Sequence, residues 1–203
     1  MVTQLDQTVK GFLQSLSSKA ATPGGGSASA LVGAVGAALC GMVGRLNDKK
    51  DGAPGPLHDT LGEADRLLAR LGELIDEDVL AFDALAASWK LPDDSPENAA
   101  AKESAAIAAT QSPLEIMDQA VAVMRLAVSG LEKSKKNCLS DAGVAGLMAH
   151  AALEGARLNV AINLPGIKDA VARYSLRTRS GALRDEAAAL RKRIDAMIDA
   201  SYG

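Results

Sequence analysis

Ser29, Gly33, Ala37 and Gly41 stand four residues apart inside an apolar run from Ala28 to Val43. In a helix this spacing lines the small side chains along one face, while Leu31, Val35, Leu39 and Met42 point elsewhere. A ridge of small residues lets another backbone approach closely. Each glycine within a helix costs roughly 1 kcal/mol relative to alanine, so its repeated use implies a contact that offsets the loss. The run, 16 residues long, is shorter than the roughly 20 that cross a bilayer. The pattern predicts a central helix enclosed on all sides by others, and no membrane partner is expected.

The rest of the chain agrees with packed helices. Of 203 residues, 48% are hydrophobic but only 2% aromatic, so the core must be built from alanine, leucine, valine and methionine. No stretch sustains the alternation of a half-buried strand. The expected fold is all-α, a single-domain helical bundle over residues 1–203, with no internal repeat. Leu5, Val9, Phe12, Leu13 and Leu16 recur at helical spacing with Thr3 as a cap. A second periodic segment runs from about Leu57 to Trp89, and Ser95 before Pro96 starts another helix. "QSPLEI" repeats that Ser-Pro start, and Leu114, Met117, Val121, Met124 and Val128 form one stripe. Asp141 or Ser140 can cap the next helix, which "PGIKD" ends after Leu164; a last Arg-rich amphipathic segment runs to Ile198.

Lys and Arg number 22 against 25 Asp and Glu, a net charge of -3. No global basic field therefore draws the chain to nucleic acid or to an anionic membrane. Cys40 and Cys138 have no CxxC spacing and only His58 and His150 beside them, which argues against a metal site or a disulfide framework. The amphipathic start carries Asp6 and does not read as a signal peptide, so the expected location is cytoplasmic.

"TPGGGSAS" lacks the lysine and the preceding strand of a phosphate-binding loop, and GxGxxG is only weakly matched. Gly24, Gly25 and Gly26 instead precede Ser27 at the amino end of the small-residue helix. Unpaired N–H groups and the positive dipole end there favour an anion or a carbonyl. Taken alone, the simpler reading is a plain helix start that needs positive φ. Neither histidine assembles into a nucleophilic triad. Carboxylates are the better candidates: Asp76 and Asp83 lie seven apart on one helical face with Asp78 turned from them, and Asp141 joins a polar turn to an apolar helix. Lys49 with Lys50, and Lys135 with Lys136, form two short basic clusters that could hold ligand carboxylates.

These segments together resemble a family. "TPGGGSASALVGAVGAAL", "DEDVLAFDALAASWKLPDDSPE", "SPLEIM" and "NCLSDAGVAGLMAHAALEGARLNVAINL" look, in the same order, like segments of the cyclodeaminase/cyclohydrolase family. That family comprises the cyclodeaminase domain of formiminotransferase-cyclodeaminase and stand-alone methenyltetrahydrofolate cyclohydrolases. The resemblance implies an all-helical homodimer with a folate site lined by the glycine-rich segment and the Asn-x-x-Ser-Asp turn. The implied substrate-binding residues are Gly24, Gly25, Gly26, Ser27, Lys49, Lys50, Asp78, Asp83, Asn137 and Ser140, with Asp141 as the catalytic carboxylate. No metal and no cofactor beyond the tetrahydrofolate substrate is implied, and the lysines are assigned to the glutamate tail of a folate that is expected to be polyglutamylated.

Both candidate substrates carry positive charge on an amidine-like carbon between N5 and N10. A carboxylate beside it lowers its energy and can take a proton, which typically supplies about a hundredfold to ten-thousandfold. Cyclohydrolase is the expected activity because no formiminotransferase domain accompanies the chain. The alternatives are 5-formiminotetrahydrofolate cyclodeaminase and a non-catalytic folate-binding or dimerisation module on the same scaffold.

Overall fold

A computed structural model describes residues 3–49 and 53–202, and among them every regular element is helical. The order is α1 (Val9–Leu16), α2 (Gly25–Asn47), α3 (Leu61–Ser88), α4 (Pro96–Lys133), α5 (Leu139–Asn163) and α6 (Ala170–Tyr202), with short 3-10 turns before α3 and on either side of α5. Local chemistry sets several boundaries. The Thr8 side chain accepts from the Gly11 N–H to cap α1, while Thr3, expected in that role, bonds Asp6 in the preceding turn. Ser95 accepts from the Asn98 N–H and Pro96 fills the first turn of α4, as the Ser-Pro pair predicts. Asp141 and Ser140 cap nothing: α5 begins at Leu139, so both fall in its first turn.

The second Ser-Pro pair does not start a helix. Pro113 sits inside α4, which continues through it for 38 residues. Proline has no N–H for the carbonyl four residues back. That carbonyl belongs to Ala109, and the Asn163 side-chain amide donates to it at 2.7 Å. A side chain from α5 thus supplies the bond that the ring withholds.

α4 packs against α2, α3, α5 and α6, and α2 contacts α3 on one side and α5 on the other. The architecture is a layer in the order α3, α2, α5, α6 laid across α4. Leu114, Met117, Val121, Met124 and Val128 are all buried on α4, as their stripe predicts. The small-residue ridge is also buried at Ser29, Gly33, Ala37 and Gly41. The ridge lies between two neighbours, since a methyl added at Gly33 would meet the Leu71 Cδ2 of α3 at 3.2 Å and the Ala152 Cβ of α5 at 3.4 Å; beside the ridge, one added at Gly36 would lie 3.0 Å from the Ala145 carbonyl oxygen, so α2 and α5 run antiparallel at close range.

The central helix is therefore α4, not α2. The side of α2 away from α4 is open, exposing Val35, Ala38, Met42 and Leu46. α2 is also longer than the sequence predicts, 23 residues, because Gly25 and Gly26 join it and it runs through to Asn47. By length and composition alone it is apolar enough to cross a membrane, with 56% of its most apolar window buried in the fold. Beside it α5 exposes Val144, Met148, Leu158 and Ile162. The two antiparallel helices form one apolar face.

Candidate functional site

The glycine segment and Asp78 meet at one end of this layer. Asp78 on α3 reaches the amino end of α2, where its carboxylate accepts from the Ser27 Oγ at 2.9 Å and from the Ser27 N–H. Ser27 is fully buried and also lies 3.1 Å from the Ile75 carbonyl, so its hydroxyl is held between two α3 acceptors. Burial raises the Asp78 pKa above its ordinary value, against the pull of the two Ser27 bonds. The helix dipole adds a favourable field for the ionised form.

The three glycines have separate reasons. None has a positive φ; Gly24 is extended at φ -122°. Gly26 is required by close approach, since a Cβ there would lie 2.0 Å from the Asp78 Oδ1. Around this point is a cleft of about 150 Å³ lined by Gly24, Gly25, Gly26, Asp78, Phe82 and two asparagines, Asn159 and Asn163. Asn159 donates its amide to the Gly155 carbonyl at 2.9 Å and Asn163 to that of Ala109. Both amides are thereby fixed, and among the described residues neither side-chain oxygen accepts a hydrogen bond.

Phe82, Asn159 and Asn163 were not singled out in the sequence. The signal was available: "LNVAIN" places two asparagines four apart near the end of an otherwise apolar helix. Asp83 is exposed and does not line the cleft, because five residues along a helix turn it about 140° from Asp78.

Asn137, Ser140 and Asp141 lie at the opposite end of the layer. Asp141 and Asn159 are 18 residues apart on α5, about 27 Å along its axis. Asn137 and Ser140 are exposed and Asp141 half-buried. Their turn is pinned to the end of α2 by Asn47, which is buried and whose side-chain oxygen accepts from the Lys135 N–H at 2.8 Å. The Lys135 Nζ bonds the Leu46 carbonyl at 2.9 Å, which gives this lysine a structural task. Lys49 is exposed at the same end. Lys50 lies outside the described residues. One subunit thus brings together Gly24, Gly25, Gly26, Ser27 and Asp78, and separates them from Lys49, Asn137, Ser140 and Asp141.

Comparison with known proteins agrees with this fold. The sequence pattern described as Formiminotransferase-cyclodeaminase matches residues 8–182. The chain belongs to this family. It is 40% identical over 197 residues to methenyltetrahydrofolate cyclohydrolase of Methylorubrum extorquens, covering 93% of this chain and 94% of that one. It is 32% identical over 194 residues to formimidoyltransferase-cyclodeaminase of Mus musculus, of which it spans 35%. In structure it is similar to formiminotetrahydrofolate cyclodeaminase from Thermotoga maritima, with a TM-score of 0.83, 24% identity and 96% of each chain covered. That last likeness concerns the fold.

Proposed function

We propose that the protein is a tetrahydrofolate one-carbon enzyme, a cytoplasmic homodimer that hydrolyses 5,10-methenyltetrahydrofolate to 10-formyltetrahydrofolate. The observation that carries this reading is the Asp78 carboxylate, held against the amino end of α2 in a cleft with two fixed asparagines. A relative 40% identical and matched over 94% of its length is a cyclohydrolase, which supports this reading.

The substrate is a cation, and an ionised carboxylate beside its methenyl carbon stabilises it. Water adds to that carbon and gives up a proton to a base. The carbon–N5 bond then breaks as N5 takes a proton and the remaining hydroxyl proton is lost, so one proton is released in all. Two carboxyl groups suit these steps. Asp78, its pKa raised by burial, delivers the proton to N5. Asp141 takes the proton from water. Asn159 and Asn163 present oxygens to the N–H groups of the pterin, and Asn137 and Ser140 orient its other edge. Lys49, with Lys50, meets the glutamate tail as a point charge.

Loss of methenyltetrahydrofolate absorbance on adding the protein tests the reading. Hydrolysis accelerated over buffer, and abolished in Asp78→Asn, is expected; a rate equal to buffer overturns it. The cyclodeaminase reading is favoured by the similarity to formimidoyltransferase-cyclodeaminases, and ammonia release from 5-formiminotetrahydrofolate distinguishes it. Silence in both assays leaves a non-catalytic folate-binding module.

A further inference from the structure

The groove between the end of α5 and the first half of α6 holds a second site, and we propose that it binds a small tetrahedral oxyanion, of the class of inorganic phosphate or a phosphate ester. It is separate from the cleft at Asp78 and goes beyond the reaction assigned there.

Helix periodicity builds both walls. On α5, Arg157 and Leu164 stand seven residues apart, and on α6 so do Arg177 and Arg184, with Ser180 and Gly181 between them. Residues at this spacing share one face of a helix. The two helices run antiparallel: a Cβ at Gly143 would lie 3.1 Å from the Ile198 side chain, and one at Gly146 2.8 Å from that of Ile194. The same register sets Arg157 opposite Arg184 and Leu164 opposite Arg177. These stripes line a cavity of about 180 Å³.

Three guanidiniums and one hydroxyl face the cavity, and among the described residues no carboxylate lines it. Arg157 bonds Glu154 through its Nε alone, and Arg184 bonds Asp185 through its Nε and Nη2, so each keeps N–H groups for a ligand. Arg177 has neither an ion pair nor a hydrogen bond among the described residues. An exposed arginine needs no partner, so the weight falls on Ser180. This residue is 7% exposed, and its hydroxyl donates only to the sulfur of the fully buried Met117, at 3.5 Å. A thioether is a weak acceptor, whereas buried hydroxyls ordinarily find a strong one. An anion in the cavity supplies it, and the O–H has only to rotate from sulfur to oxygen.

Gly181 keeps the space open. A Cβ there would meet nothing within 4 Å. Packing therefore does not demand glycine, although glycine costs helix stability relative to alanine.

Size and geometry name the ligand class. Pockets for drug-sized ligands run to roughly 300–1,000 Å³, so a cavity of about 180 Å³ suits something much smaller than a folate. Arg177 and Arg184 are about 10 Å apart along α6, a span that two long arginine side chains close onto one point. Donors then arrive from both helices and from the floor. A tetrahedral oxyanion turns three acceptor oxygens towards them, a planar carboxylate only two, and the guanidinium fork matches phosphate geometry.

The test is thermal unfolding and titration calorimetry of the full-length protein with inorganic phosphate, at constant ionic strength balanced by sodium chloride. A ligand that binds only the folded state raises Tm by roughly 5–11 °C at a hundred times its dissociation constant, for a chain of this length. Wild type is expected to show this saturable rise. Arg177→Ala breaks no ion pair, so its Tm in chloride should equal wild type while its phosphate affinity falls about tenfold, the loss of one charge-assisted hydrogen bond. Gly181→Leu fills the cavity without a clash; it should match or exceed the wild-type Tm in chloride and lose the response to phosphate. General stabilisation by phosphate raises every variant alike, so equal rises in all three proteins overturn the proposal. So does a wild type that phosphate raises no more than chloride, or one that succinate raises as much as phosphate does. No readout involves folate turnover, so failure of the assigned reaction and failure of this site are separate results.

Discussion

Replacing Gly26 with alanine tests the site at its tightest point. The new methyl would lie 2.0 Å from the Asp78 Oδ1, 2.5 Å from its Cγ and 2.6 Å from its Oδ2. These atoms cannot coexist, so the carboxylate has to retreat by more than about 1 Å. The retreat breaks the 2.9 Å bond from the Ser27 hydroxyl, which as a bond to the neutral acid is worth about 0.5–1.5 kcal/mol. For a domain of this size that is a fall in Tm of roughly 1–6 °C. A displacement near 1 Å of an acting group costs about a hundredfold in rate. The assay is methenyltetrahydrofolate hydrolysis followed by absorbance, beside thermal unfolding of the same samples. Neighbouring positions are internal controls. Alanine at Gly24 meets only the Ala21 carbonyl oxygen at 3.5 Å, an ordinary contact, and is expected to be silent. Alanine at Gly25 comes 3.2 Å from the Asn159 amide nitrogen and is expected to fall between the two. Wild-type rate and Tm in Gly26→Ala would refute the argument, and so would equal losses at all three glycines.

Asp78→Asn is expected to abolish turnover without loss of stability at pH 7. The folded pKa of Asp78 is raised, so its contribution to stability is present below the unfolded value of 3.8 and lost as pH rises through the folded one. The amide should remove that part of the pH dependence, read as Tm against pH from 3 to 7. Asn163→Ala leaves the Ala109 carbonyl without its partner and should cost about 1–3 kcal/mol in denaturant unfolding; in a Pro113→Ala background, where the backbone N–H returns, the same change should cost at least 1 kcal/mol less. Val35→Asp places a charge in the apolar face and should shift the protein to monomer in sedimentation while helical content is retained. Lys49→Ala and Lys50→Ala should raise the KM for a polyglutamylated substrate and flatten its salt dependence; an unchanged KM and slope would return these lysines to the solvated surface.

The legible parts of the sequence were those decided within one or two turns of helix. The Ser95 cap, the α4 stripe from Leu114 to Val128 and the break at Pro165 all depend on near neighbours, and the structure has them. Pro113 misled because its lost bond is replaced by Asn163, fifty residues away. The enclosure of α2 was misjudged for a related reason. Small residues fix how closely one face packs, but an apolar opposite face reads the same whether buried in its own subunit or left open. In α3, sequence gave the acidic residues without the rotation of the helix, and only packing decides that Asp78 enters the cleft while Asp83 meets solvent. The glycine segment was legible as a helix start; its tightest constraint, the carboxylate against Gly26, comes from another element.

The greasy length of α2 has a consequence during synthesis. Its last residue, Asn47, is made 116 residues before Asn163 completes α5, the helix against which its small face packs. At about 5–20 residues per second, a nascent segment that meets the length and hydropathy of a bilayer span waits some 6–23 seconds for its cover. Over that interval holdases and membrane-targeting factors compete with folding for the same stretch of chain. Slowing translation between α2 and α5 should lower the soluble yield far more than the same delay placed after α5.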